Sequence, residues 1–485
     1  MQLKKDAVKG IKWASASQLG RQIIQYTTTI ILAALLTPSD FGLMAMAIVI
    51  VGFLEIFKDL GTAAAIIQNQ KLSEESLSSI FWVNVGFGAL VASIVFLAAP
   101  LGADFYNNSK VEDILKVLSI SFFWSSFGIV HKKLLEKGLK FDLLAKIELI
   151  GVAIGAVVGI SLALLEFGVW SLVFQSLSIT IITTSLLWII NSWRPRIIFS
   201  YQSIKPIISY SLNLLGYNVF NYFVRNADYL LIGKYLGERE LGHYYLAYKI
   251  MLYPLQNISL VISRVLFPIY SKIQKDNKRF RKIYMKVANA ISFLSFPLMI
   301  GVFALSDLFA VTFFNEKWDT ALIALLLMIL APVGLIQSIA TTTGSIYQAK
   351  GRTDWMFRWG MFSGVIYISG FLIGLKWGVI GVAVSYLISS IILLYPVFAI
   401  PFKLIELKVI NFTKIFANVF SFSFLTGILV IIGKELFIKD FNSTVFLIVL
   451  AVFGFIIYTL LNILFNKEEI YEIKNLLLDS KNDYN

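Results

Sequence analysis

Roughly fourteen apolar stretches follow one another along the chain, each long enough to cross a bilayer, and Lys and Arg gather in every second gap between them. A span needs about 20 mostly apolar residues, because the hydrocarbon core is about 30 Å thick. Backbone groups at that depth are satisfied only in helices or closed barrels. These stretches are far too long for barrel strands, so the expected fold is an all-α membrane protein. The approximate spans are 11–36, 43–67, 77–100, 113–131, 146–165, 168–190, 212–234, 244–268, 287–310, 321–347, 359–375, 378–401, 415–433 and 444–465.

The gaps also orient the chain. With the N-terminus placed in the cytoplasm, 29 of the 42 Lys and Arg residues fall in inside segments or at the span ends that adjoin them, 8 in outside gaps or at the span ends that adjoin those, and 5 deeper within spans. Positive loops resist translocation, so both termini are expected inside. The longest outside gap is read as Leu101–Glu112, too short for a folded domain. The inside gap Ser192–Ser211 mixes Ile197, Ile198 and Phe199 with Arg194, Arg196 and Lys205, which reads as a connector lying along the headgroups. Met1–Lys12 is basic, but the apolar stretch behind it has no small-residue cleavage site, so it is read as a retained helix.

Composition removes several function classes. Cysteine is absent, which excludes disulfides, thiol catalysis and Cys-held metals. His131 and His243, the two histidines, are far apart in sequence, and neither a metal site nor a cofactor is expected. No Gly-x4-Gly-Lys-Ser/Thr segment is present, which argues against ATP hydrolysis. A net charge of +13 would point to nucleic acid in a soluble protein. Here basic cytoplasmic loops against anionic lipid explain it, and no nucleic-acid partner is expected.

An internal repeat emerges at an offset near 200. Leu36-Thr37-Pro38-Ser39-Asp40-Phe41-Gly42 is echoed by Leu236-Gly237-Glu238-Arg239-Glu240-Leu241-Gly242. Lys137-Gly138 with Asp142 is echoed by Lys350-Gly351 with Asp354, and Glu166-Phe167-Gly168-Val169 by Lys376-Trp377-Gly378-Val379. The echoes share order and membrane side. The reading is two parallel six-helix bundles, residues 1–200 and 201–402, followed by two helices and a tail over 403–485. Duplicated bundles of this kind are a transporter architecture.

Ionisable groups at membrane depth are costly and mark function. On the first span Gln18, Arg21, Gln22 and Gln25 share one helical face; on the seventh, Asn218, Asn221, Arg225 and Asp228 do the same. The offset of 200 lays one polar face on the other. On the eighth span Lys249, Tyr253, Gln256 and Arg264 fall on one face. Gln18, Arg21, Gln25, Asn218, Asn221, Arg225, Lys249, Gln256 and Arg264 are therefore candidate cavity residues. Asp228, with Glu55 and Asp59 of the second span, could carry a coupling ion. Plainer readings stand beside these: Arg225 and Asp228 neutralising each other one turn apart, Gln and Asn bonding neighbouring helices, and Arg264 reaching the headgroups. Arg21, Arg225, Lys249 and Arg264 outnumber Asp228 on these faces, and a cationic lining favours an anionic substrate. Tyr217, Tyr222, Tyr229, Tyr244, Tyr245, Tyr248 and Tyr253 offer surfaces for stacking on sugars or for an interfacial belt.

The Leu36–Gly42 turn, the Asp59-Leu60-Gly61 triplet and the Arg225–Gly237 segment resemble the Wzx-type oligosaccharide flippases of the multidrug/oligosaccharidyl-lipid/polysaccharide exporter superfamily. The resemblance implies two six-helix bundles around a cleft. It implies translocation of undecaprenyl-diphosphate-linked oligosaccharide from the inner to the outer leaflet by alternating access, coupled to H⁺ or Na⁺. It also implies a bacterial cytoplasmic membrane as location and other polysaccharide assembly proteins as companions. Three rivals are open on the residues: a cation-coupled multidrug exporter of the same superfamily, an enzyme of polysaccharide assembly, and a scaffold. The short outside gaps speak against the enzyme.

Overall fold

The computed structural model describes residues 2–58, 66, 73–200, 219–437 and 442–467, with the side chains of 2–17, 19, 57–58, 253–269 and 271–272 excepted. Every regular element among them is helical. In chain order the helices are α1 (Gln2–Leu35), α2 (Pro38–Lys58), α3 (Glu74–Tyr106), α4 (Lys110–Ser126), α5 (Ile129–Lys137), α6 (Phe141–Leu164), α7 (Val169–Ile190), α8 (Ala227–Lys272), α9 (Asn277–Ala304), α10 (Ser306–Phe313), α11 (Thr320–Ala340), α12 (Thr343–Ala349), α13 (Thr353–Gly374), α14 (Gly378–Ile392), α15 (Leu394–Phe402), α16 (Val409–Thr413), α17 (Ala417–Phe437) and α18 (Ser443–Phe465). Among the described residues nine helical segments are long and apolar enough to cross a membrane, and the bent pair α4–α5 makes a tenth. The all-α membrane architecture expected from the apolar stretches is what the chain adopts.

The chain forms two compact units, Met1–Gly242 and His243–Asn485. In the N-terminal unit α3 packs along α4, α6 along α7, and α1 along α6. Its core includes Phe81, Ile80 and Val130, with Trp188 and Trp193 packed against them. In the C-terminal unit α9 packs on α11 and α17, and α13 on α14. One of its core clusters gathers Tyr270, Phe280, Tyr284, Phe402 and Phe412. Outward faces are apolar, as lipid demands: Leu97, Leu164, Val365, Ile391 and Phe455 are all more than half exposed.

Local chemistry sets the helix ends. Pro38 opens α2 at a position where a missing N–H costs nothing. The Asp40 carboxylate accepts from the Thr37 N–H at 2.9 Å, and the Asp40 N–H donates back to the Thr37 hydroxyl at 3.3 Å. This reciprocal cap fixes the turn into α2. Helix α3 runs past the expected end at residue 100 to Tyr106, and Asn107 closes it in the left-handed conformation (φ 52°). The Leu101–Glu112 gap thus shrinks to three residues, Asn107–Ser109, between α3 and α4. The expected boundary was early because Gly102, Ala103 and Asp104 dilute the apolar signal without breaking the helix.

The connector after α7 is extended and strapped to the start of α3. Arg196 N–H donates to the Ser78 hydroxyl at 3.0 Å and Ser200 N–H to the Ser79 hydroxyl at 2.8 Å. The Trp82 indole reaches the Arg196 carbonyl at 2.8 Å. Ile197 and Phe199 remain exposed on this strap beside Arg194 and Arg196.

Candidate functional site

Arg21 is the most heavily engaged cation of the first polar face. Its Nη1 donates to Glu148 Oε2 on α6 at 2.8 Å, and its Nη2 to the side-chain Oε1 of Gln18. The other Glu148 oxygen accepts from Lys132 of α5 at 2.9 Å. One carboxylate thus holds two cations, one on each oxygen, and the triad keeps a net positive charge. Close packing makes this possible: a Cβ on Gly20 would lie 3.3 Å from Leu149. Gln22, on the same turn as Arg21, buries its side-chain Nε2 without a hydrogen-bond partner among the described residues. Gln25 is half-buried. A buried amide donor left unmade costs about 1–3 kcal/mol, so it calls for an acceptor.

Glu148 was not among the residues singled out from sequence. Its signal was a single carboxylate inside the run Ile147-Glu148-Leu149-Ile150, near the start of the expected span 146–165.

The second polar face is built differently. Residues 219–225 are helical, the chain turns at Asn226, and α8 begins at Ala227. Tyr222 anchors this segment to α2: its hydroxyl donates to the Val49 carbonyl at 2.8 Å. Gly52 makes room, since a Cβ there would lie 2.5 Å from the Tyr222 oxygen. Phe53 adds ring contacts to Tyr222 and Phe223 at 6.2 and 4.9 Å. Asn226 Nδ2 donates to the Tyr222 carbonyl at 2.8 Å and holds the bend.

On this anchored segment Arg225 is exposed and has neither hydrogen bond nor ion pair among the described residues. Asp228 is buried, 3% exposed, and accepts the Tyr229 N–H at 2.9 Å. The two do not pair, which removes the reading of a local neutral couple. Thr28, the repeat counterpart of Asp228, is equally buried and bonds its own helix at Ile24 O. Asn221 is half-buried and Glu55 is exposed on α2. Asn218 and Asp59 lie outside the described residues, as do the side chains of Gln256 and Arg264.

The repeated turns meet each other inside the N-terminal unit. A Cβ on Gly42 would fall 1.7 Å from the Glu238 carbonyl oxygen, and a Cβ on Gly242 would fall 1.8 Å from the Pro38 carbonyl oxygen. Gly42 and Gly242 are repeat partners, and so are Pro38 and Glu238. The contact is therefore reciprocal. Gly237, at φ 86°, supplies the left-handed break that lets α8 turn here. Asn108 Nδ2 donates to Glu238 Oε2 at 3.3 Å and ties the α3–α4 turn to the same spot.

In the C-terminal unit Lys249 is half-buried with its ammonium 5.5 Å from the Tyr245 ring centre. Tyr244, Tyr248 and Tyr386 stack in a column, with centroids 5.9 and 6.1 Å apart. At the turn between α12 and α13, outside the spans, burial holds the Lys350 ammonium below its ordinary value, opposed by Glu406. Asp354 raises Arg352 through a two-fold hydrogen bond at 2.9 Å. Among the described residues no three His, Asp or Glu side chains converge as a metal site would require.

Residues 31–323 match the family model described as "Polysaccharide biosynthesis protein". The chain is 29% identical over 402 residues to the lipopolysaccharide biosynthesis protein WzxC of Escherichia coli K12, covering 81% of this chain and 80% of that one. It is 30% identical over 373 residues to the teichuronic acid biosynthesis protein TuaB of Bacillus subtilis, covering 76% of each. Among solved structures, the lipid II flippase MurJ in an inward closed conformation superposes with a TM-score of 0.74 at 16% identity, covering 94% of this chain and 99% of that one. That likeness is one of fold.

Proposed function

The chain belongs to the polysaccharide biosynthesis protein family, and from that premise we propose that it moves lipid-linked oligosaccharide across the membrane. The cargo on this reading is a glycan on undecaprenyl diphosphate, carried from the inner to the outer leaflet by alternating access. The names of its relatives, lipopolysaccharide and teichuronic acid biosynthesis proteins, support glycan export as the process. The membrane is the bacterial cytoplasmic membrane, with both termini inside. The arrangement is two six-helix bundles, 1–200 and 201–402, with two helices and a tail beyond.

The observation that carries the reading is Arg225. On the expected span 212–234 it lies near mid-membrane, too deep for easy escape to headgroups. An unpaired guanidinium at that depth costs several kcal/mol unless water or an anion meets it. A diphosphate is a suitable anion, because guanidinium grips it through two parallel hydrogen bonds. Arg21 is the second cationic contact. In the empty protein Glu148 occupies it, and an arriving diphosphate would compete for the same fork. Gln18, Gln22, Gln25 and Asn221 offer neutral donors around the two cations. Asn218, Lys249, Gln256 and Arg264 are further candidate contacts by their sequence pattern.

Ion coupling by H⁺ or Na⁺ rests on Asp228, with Glu55 and Asp59 as further carboxylates. A buried carboxylate close in sequence to a substrate-binding Arg is a natural place for a counter-ion to act. Other polysaccharide assembly proteins are expected partners.

The test is export by the Arg225→Ala variant in cells lacking the wild-type gene. Surface glycan should fall at least hundredfold while the variant reaches the membrane in normal amount. Full export by that variant would remove Arg225 from the site. Lowered dye accumulation together with indifference to lipid-linked glycan would instead favour a drug exporter.

A further inference from the structure

The C-terminal unit carries a polar aromatic cluster that the charge argument does not use. Tyr386 of α14 lies at its centre. Gln337 of α11 donates its amide to the Tyr386 hydroxyl. The Tyr248 hydroxyl of α8 is 3.4 Å from that of Tyr386, and their rings are stacked at 14°. The Tyr367 ring of α13 meets Tyr386 edge-on at 5.3 Å. Four helices thus bring three phenols and one carboxamide to one place. Backbone contact sets the register: a Cβ on Gly381 of α14 would lie 2.1 Å from the Gly374 carbonyl oxygen of α13.

The cluster is within the bilayer and turned away from lipid. Tyr386 is about 12 Å along α14 from Gly378, and Tyr367 about 10 Å along α13 from Gly374. Val384, Ile388 and Ile391 form the exposed apolar face of α14, and Phe362, Val365 and Leu372 that of α13. Tyr386 is two residues from Val384, and Tyr367 two from Val365, so each points to the opposite side of its helix. The three rings are nevertheless half-buried rather than sealed. A partly open set of phenols and an amide, at depth and facing away from acyl chains, has the chemistry of a carbohydrate site. A pyranose lays its C–H face on an aromatic ring, and its hydroxyls take up phenol and carboxamide hydrogen bonds.

We propose that Tyr248, Tyr367, Tyr386 and Gln337 form a sugar-binding subsite in the C-terminal unit that recognises the glycan portion of the cargo. This rests on the reading of the chain as an exporter of lipid-linked oligosaccharide. It divides the labour: the arginines bind the diphosphate common to all such carriers, and the phenol cluster distinguishes what is attached.

The experiment uses the full chain in proteoliposomes with two ligands, the lipid-linked oligosaccharide extracted from the producing cells and the sugar-free polyprenyl diphosphate. The readout is the ratio of their half-saturating concentrations. Wild type should prefer the glycan-bearing form. Tyr386→Leu and Gln337→Leu should each lower that preference at least tenfold, and Tyr386→Phe, which keeps the ring, two- to threefold. A cluster that merely knits helices together would change protein abundance, or both ligands equally, and leave the ratio unmoved; that result overturns the proposal. So does a wild type that binds both ligands without preference. Failure of wild type to bind either ligand would instead overturn the exporter reading and the subsite with it.

Discussion

The first and seventh polar faces lie 200 residues apart, each carries one guanidinium, and they hold it in opposite ways. Arg21 shares a carboxylate with Lys132, so its charge is met from within the protein. Arg225 has no hydrogen bond or ion pair of its own among the described residues, and its neighbours place it: the Tyr222 hydroxyl bonds Val49, and the Asn226 amide bonds the Tyr222 carbonyl. The two polar stripes match in sequence but differ in how their guanidinium is balanced. On the proposed reading the first face is stable when empty and the second when occupied.

The largest effect should come from removing the shared carboxylate. Glu148→Ala leaves Arg21 and Lys132 facing each other, half-buried, with no counter-charge. We expect a loss of about 2 kcal/mol, below the 3–5 kcal/mol of fully buried pairs because all three groups keep some exposure. Thermal unfolding of the detergent-purified protein should show a lower Tm, and no change in Tm would mean that Arg21 does not depend on Glu148 for its balance. A smaller and more specific effect is expected from Arg225→Lys. The charge stays, the fork is lost, and binding of the diphosphate carrier should weaken about tenfold with Tm unaltered. Equal binding would show that Arg225 acts as a point charge and would erase the geometric side of the comparison. The smallest effect belongs to Tyr222→Phe, which deletes one hydrogen bond worth about 1 kcal/mol. It should reduce export two- to fivefold by loosening the segment that presents Arg225. An Arg225 that binds as well without the Val49 tie would show that the bend at Asn226 suffices.

Much of this was legible in sequence because helices in lipid announce themselves. The apolar stretches gave the membrane fold, and spacing of three and four singled out the two polar faces as candidates. What sequence did not yield was pairing between distant helices. Glu148 is one carboxylate in an apolar run, and nothing local says that Arg21, 127 residues earlier, ends beside it. Tyr386 and Gln337 stand on different helices, 49 residues apart, and only tertiary packing makes them a cluster. The left-handed stop at Asn107 was hidden for another reason: small residues before it weaken an apolar stretch without ending a helix. The Gly42 echo of Gly242, by contrast, was visible as a pattern, and its meaning came only with the backbone.

That meaning has an evolutionary edge. Each of these glycines is kept bare by the carbonyl of the other repeat. After a duplication the two copies of a segment ordinarily drift independently, but here neither can acquire a side chain unless the opposite strand of the joint retreats. The two matching turns are thus bound to a common constraint at this one spot, whatever residues surround them.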